Sequence, residues 1–189
     1  MLAAQIPNII TVARIALVLP TAWLLWEGRY VQALVLMSIA GASDAVDGWL
    51  ARRLGAVSQF GAAIDPVADK LLVAAMFVIF AVQDHLPLWL AVIVLGRDVV
   101  ILAGAGVYRL LFGQIRFSPT LLSKANTAMQ IAVVLLLLLK LCEFGAVSRL
   151  ASAVIEPYGF YLLALLGIAS GVDYVVTWSL RAWREARAS

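Results

Sequence analysis

The chain has 189 residues, of which 64% are hydrophobic and only 13% charged, and its formal net charge is +3. With a mean hydropathy of +1.00, it is too oily for a soluble or disordered domain and belongs with polytopic membrane proteins. The dispersed basic residues exclude a nucleic-acid groove, and the single cysteine, Cys142, excludes an intrachain disulfide or a thiolate metal cluster.

About six apolar segments, each near the ~20 residues a bilayer requires, predict an all-α integral membrane protein in one domain, residues 1–189. The first runs from about Pro7 to Trp26, with Pro7 suited to a first helical turn. Its length and the lack of a basic start speak against a cleavable signal. The second runs from about Tyr30 to Arg53, and the third from about Ser58 to Val82. The fourth covers about Pro87 to Leu111, the fifth Leu121 to Leu141 and the sixth Glu156 to Leu180. With both termini in the cytoplasm, Arg14, Arg52, Arg53, Arg109, Arg116, Lys124, Arg181, Arg184 and Arg187 fall on that side, while Arg29, Lys140 and Arg149 fall on the other. That asymmetry follows the positive-inside rule, and Trp26, Trp89 and Trp178 sit near segment ends as interfacial aromatics do.

Chemistry concentrates where the second and third segments meet. The run reads Asp44-x-x-Asp47-Gly48-x-x-Ala51-Arg52, then Gly61, Asp65 and Asp69. Carboxylates inside a membrane segment are costly and functional by default. On a helix, Asp44, Asp47 and Ala51 share one stripe, and Gly61, Asp65 and Asp69 share another. A short Leu54–Val57 connection turns the two helices into a hairpin whose stripes face one cleft at the cytoplasmic end. Four converging carboxylates need cations to cancel their repulsion. An all-oxygen donor set selects hard ions such as Mg²⁺, Mn²⁺ or Ca²⁺, and four carboxylates suffice for two metals clamping a phosphoryl displacement. Gly48 and Gly61 either make room for a ligand or pack helices closely. Arg52 reads either as a phosphate partner or as an interfacial anchor.

The full pattern D-x2-D-G-x2-A-R-x8-G-x3-D-x3-D resembles the signature of the CDP-alcohol phosphotransferases, and every fixed position matches. The resemblance implies a membrane enzyme of about six helices, usually homodimeric, that transfers a substituted phosphate from a CDP-linked donor to an alcohol and releases CMP. It implies metal binding by Asp44, Asp47, Asp65 and Asp69, with Mg²⁺ or Mn²⁺, two per subunit, and Asp69 as the general base. Asp44, Gly48, Ala51, Arg52 and Gly61 would form the CDP pocket.

Further segments resemble one branch. Pro7-Asn8-x-x-Thr11-x-x-Arg14 is similar to the opening of both phosphatidylglycerophosphate and cardiolipin synthases of this family. Gly96-Arg97-Asp98-Val99 and Pro119-Thr120-x-x-Ser123-Lys124-x-Asn126-Thr127-x-x-Gln130 are closer to the cardiolipin synthase type. The expected donor is therefore CDP-diacylglycerol and the expected acceptor phosphatidylglycerol, with glycerol 3-phosphate second and a soluble polyol phosphate such as inositol phosphate third. An acceptor bearing a phosphate needs cations, for which Lys124, Arg97, Arg116 and Arg109 are the candidates. Arg109 and Arg116 read equally as loop charge, and Arg97 as the partner of a buried acid. Lys70 balances the acidic run, Asp173 suits an interhelical hydrogen bond or ion pair, and His85 is expected in a solvated external loop. A reading of another class, a cation transporter, accounts for the acids but not for Gly48, Ala51, Arg52 and Gly61.

Overall fold

The computed structural model describes residues 17–54, 59–112 and 120–186. Within these, the side chains of 43–54, 59–69, 105, 108–109, 111–112 and 181–186 fall outside the description. Every described element is helical. They are α1 (Leu17–Trp26), α2 (Tyr30–Leu54), α3 (Gln59–Val82), α4 (Leu88–Phe112), α5 (Leu121–Leu141), α6 (Ala146–Val154) and α7 (Phe160–Ala186). The expected all-α bundle is thus found, with α6 as an addition.

Two stretches, Leu121–Leu141 and Ala146–Leu180, are long and apolar enough to cross a membrane, and Leu17–Trp26, Tyr30–Ala42 and Lys70–Val82 are shorter apolar helices. The latter two lie on either side of the polar run, which shortens the apolar length of α2 and α3. Large apolar side chains point outward along whole helix faces: Val31, Val35 and Ile39 on α2, Val92 and Val99 on α4, Val172 and Val176 on α7. Such continuous exposure in a monomer marks a surface meant for something other than water.

The core lies between α3, α4, α5 and the start of α7. Met76, Phe77 and Phe80 of α3 interlock with Leu90 and Val94 of α4, and with Val133, Val134, Leu137 and Leu138 of α5. The i, i+3, i+4 spacing of each set follows from the helical period. α4 packs on α7, and α5 packs on both α6 and α7. Gly167 makes the three-helix junction possible. A Cβ there would lie 3.3 Å from Ile93 Cγ2 and 3.6 Å from Asn126 Oδ1.

α6 and α7 meet at a kink over Ile155–Gly159, where Glu156 has an extended backbone (φ −104°, ψ 125°). Pro157 follows it, and a residue preceding proline is pushed out of the helical region. The sequence alone starts its sixth segment at Glu156 and leaves α6 outside any segment. A nine-residue helix such as α6 is too short to announce itself by apolar length.

One end of the bundle is closed by three tight turns. After α1, Gly28 (φ +72°) reverses the chain. Its N–H meets Leu25 O at 3.1 Å, and Arg29 N–H meets Leu24 O at 2.8 Å. This pairing satisfies the last carbonyls of a helix. After α3, Asp84 (φ 59°) does the same, with His85 N–H donating to Phe80 O at 2.9 Å. After α5, Glu143 (φ 56°) reverses the chain. The first two turns are stitched together. Gln83 Nε2 donates to Leu25 O and Trp26 O at 3.2 and 3.1 Å. Tyr30 Oη and His85 Nε2 lie 2.7 Å apart. The third stands beside the first across a cavity of about 250 Å³ lined by Gly28, Tyr30, Leu141 and Glu143, among others. His85 is therefore half-buried and partnered, not the solvated loop residue expected, because the Asp84 turn folds it back onto Tyr30 and Phe80.

Candidate functional site

The polar run falls on two consecutive helices. Asp44, Asp47, Gly48, Ala51 and Arg52 lie within α2, and Gly61, Asp65 and Asp69 lie within α3. Their helical backbone gives the i, i+3 and i, i+4 steps that align each set on one stripe. Whether the stripes converge on one cleft lies outside the described side chains. Arg109 is placed on α4 by its backbone alone, and Arg116 lies outside the described residues. Among the described residues no group of three or more His, Cys, Asp and Glu side chains gathers elsewhere. The oxygen-only donor set on α2 and α3 fits hard divalent cations rather than zinc.

From Lys70, one residue past Asp69, a polar network joins four helices. Lys70 Nζ lies 3.2 Å from Asp98 Oδ1, linking α3 to α4. The same oxygen takes Arg97 Nη1 at 2.5 Å. Arg97 Nε and Nη2 donate to Ser170 Oγ of α7 at 3.2 and 2.8 Å, and Nη2 also donates to Ser123 Oγ of α5 at 2.6 Å. Its guanidinium carbon stands 5.9 Å from the centre of the Tyr174 ring. Arg97 is 5% exposed. A buried guanidinium is tolerable only when paired and hydrogen-bonded, and this one is. Its partner acid is its own neighbour Asp98 rather than a distant one. α7 approaches closely here, since a Cβ at Gly171 would touch Arg97 Cγ at 3.7 Å.

α5 begins at the same level. Thr120 caps it, accepting from Ser123 N–H at 3.2 Å. Ser123, Asn126 and Gln130 then form a buried polar stripe at i, i+3 and i+7, and Lys124 stands exposed on the flank. Both amide atoms of Asn126, and Nε2 of Gln130, have no hydrogen-bond partner among the described residues. Sequence reasoning singled out Arg97, Ser123 and Lys124 but not Ser170 or Tyr174. The signal it passed over was the small-residue stripe Gly167, Ser170, Gly171, which allows close helix contact. Asp173, expected in an interhelical hydrogen bond or ion pair, has no such partner among the described residues. It lies three residues from Ser170, less than one turn along α7, yet Arg97 takes its bonds from Ser170, Ser123 and Asp98 instead.

Residues 4–175 match the family described as CDP-alcohol phosphatidyltransferase. A Drosophila melanogaster protein named "Probable cardiolipin synthase (CMP-forming)" is 35% identical over 145 residues, which cover 68% of this chain and 45% of that protein. A Pseudomonas fluorescens CDP-diacylglycerol–glycerol-3-phosphate 3-phosphatidyltransferase is 43% identical over 105 residues, 52% of this chain and 53% of its own length. A Bacillus subtilis protein of the latter name is 34% identical over 169 residues, 76% of this chain and 81% of that protein. The chain spans about half the length of the first two relatives. With an unbroken match over most of its length, it belongs to the CDP-alcohol phosphatidyltransferase family.

Proposed function

We propose that this chain is an integral membrane phosphatidyltransferase that moves the phosphatidyl group of CDP-diacylglycerol to a hydroxyl of phosphatidylglycerol, giving cardiolipin and CMP. The observation that carries the reading is the placement of the whole signature run on α2 and α3, with the Lys70–Asp98–Arg97–Ser123 network directly beyond its last carboxylate. The name of the Drosophila relative supports the acceptor.

In this reading Asp44, Asp47, Asp65 and Asp69 hold Mg²⁺ or Mn²⁺, two per subunit. When bound, these ions draw charge from the pyrophosphate and ease the departure of CMP. Gly48, Ala51, Arg52 and Gly61 shape the CDP pocket beside Asp44. Asp69 takes the proton of the incoming hydroxyl. The alcohol oxygen bonds to the phosphorus that carries diacylglycerol, the bond from that phosphorus to the bridging oxygen breaks, and CMP leaves with the electron pair. Lys124 meets the acceptor's phosphate at the exposed start of α5, with Arg97, Arg109 and Arg116 contributing positive charge around it. In this reading the enzyme works as a homodimer in a bacterial inner membrane, and the arginine and lysine asymmetry supports an acidic cleft toward the cytoplasm.

A second acceptor, glycerol 3-phosphate, is favoured by the names of the Pseudomonas and Bacillus relatives. The deciding experiment gives the purified protein CDP-diacylglycerol with each acceptor and identifies the lipid by mass. Cardiolipin is expected. Phosphatidylglycerophosphate with no cardiolipin would change the acceptor and keep the chemistry. No CMP release with any alcohol would overturn the transfer reading in favour of cation transport.

A further inference from the structure

The last carboxylate of the α3 stripe is followed at once by a cation, Lys70. A lysine ammonium is a compact charge on a flexible four-carbon stem, drawn to whatever negative charge is nearest. Beside Asp65 and Asp69 it would cancel part of the field that divalent ions need. In the structure it turns instead to α4, where its Nζ meets Asp98 Oδ1 at 3.2 Å.

Asp98 stands between two cations that differ in what else holds them. Arg97 is fixed in place by Ser170 and Ser123 as well and lies near the Tyr174 ring. Its side chain is 3% exposed, so it has little room to move. Lys70 is 33% exposed, and Asp98 is its partner among the described residues. Asp98 itself is 16% exposed, and a pair so shielded is screened far less than a surface one. We propose that Asp98 is a positioning residue that pins the Lys70 ammonium to α4 and keeps it off the carboxylates of the α3 stripe. This rests on the reading of those carboxylates as a divalent-cation site. A simpler role, neutralising buried Arg97, predicts a different response to substitution.

The test is Mn²⁺ binding to the purified full-length chain without substrates, followed by electron paramagnetic resonance, with CMP release measured in parallel. Asp98→Asn frees the ammonium and should weaken Mn²⁺ about tenfold, the scale of one uncompensated charge in an interfacial dielectric. Asp98→Glu keeps the pair and should stay within about threefold of the wild type. Adding Lys70→Gln to Asp98→Asn removes the loose cation and should restore affinity to within about threefold. If leaving Arg97 without its acid prevents folding, the series is run with Arg97→Gln present throughout, and the same pattern is expected. Wild-type affinity in Asp98→Asn, no recovery in the double variant, or no Mn²⁺ binding by the wild type would each overturn the proposal. A wild type that binds Mn²⁺ but releases no CMP would overturn only the transfer reading, because the binding series still decides what Asp98 does.

Discussion

Single side chains in this protein carry separable duties. Asp69 is proposed as the base besides holding metal, Asp44 as a metal ligand that also lines the CDP pocket, and Asp47 and Asp65 as metal ligands alone. Asp65→Asn should therefore weaken both Mn²⁺ binding and turnover. Asp69→Asn should cost turnover about 10²–10⁴-fold, the usual worth of a general base, and retain much of the donor affinity. Steady-state kinetics beside a CDP-diacylglycerol binding isotherm separate the two, and near wild-type turnover in Asp69→Asn would place the base elsewhere. Lys124 makes a second case. It is exposed at the start of α5, so its loss leaves the core intact. Lys124→Ala should raise KM for the acceptor roughly 10–150-fold, the loss of one charge-assisted hydrogen bond, with KM for CDP-diacylglycerol little changed. At this scale the sequence was legible where chemistry forced a rare pattern, as in the aspartate run. It was silent on Ser170 and Tyr174, because a serine or tyrosine in a helix is ordinary until a neighbouring helix brings Arg97 to it.

Between elements, packing decides. The α4–α7 seam closes over Gly167, where a side chain would press on Ile93. Ile93 is branched at Cβ and cannot rotate away cheaply. Gly167→Val should lower stability by about 1–3 kcal/mol through overpacking, seen as a lower midpoint of thermal inactivation in detergent. The α2–α3 side of the bundle responds to pH instead. His85, in the turn between α3 and α4, titrates below its ordinary value because burial disfavours its charged form and Lys140 repels it, with Asp84 opposing. The folded state then binds fewer protons there than the unfolded chain, so stability rises with pH. The His85 contribution should be complete above pH 6.5, the ordinary value, and decline as pH falls below it. His85→Gln should flatten that slope in thermal midpoints recorded against pH. Helix bounds were readable to within a few residues, since apolar length and charged ends fix them: the fifth segment was placed at Leu121–Leu141 and is found there. The helix α6 was not readable, because nine residues that include Ser148, Arg149 and Ser152 fall short of the apolar length that marks a segment.

For the whole molecule, the outward apolar faces and the charge asymmetry predict a protein that keeps one end in the cytoplasm. Glu143→Cys, made with Cys142→Ser, should react with an impermeant maleimide in intact cells. Lys124→Cys in the same background should react only after permeabilisation. Labelling of Lys124→Cys in intact cells would invert the proposed orientation.

The three turns at the end that carries Glu143 bear on how the molecule moves. Gly28, Asp84 and Glu143 each reverse the chain within a few residues, and Gln83 and Tyr30 lace two of these reversals together. That end works as a clasp. Helices fastened at one end part most readily at the other, so a lipid entering the proposed cleft is expected to spread α2 from α3 like the jaws of a peg. Amide exchange should accordingly be slowest along Phe77–Leu86 and faster toward Lys70. A ligand that closes the cleft should slow exchange at the open end and leave the clasp unchanged.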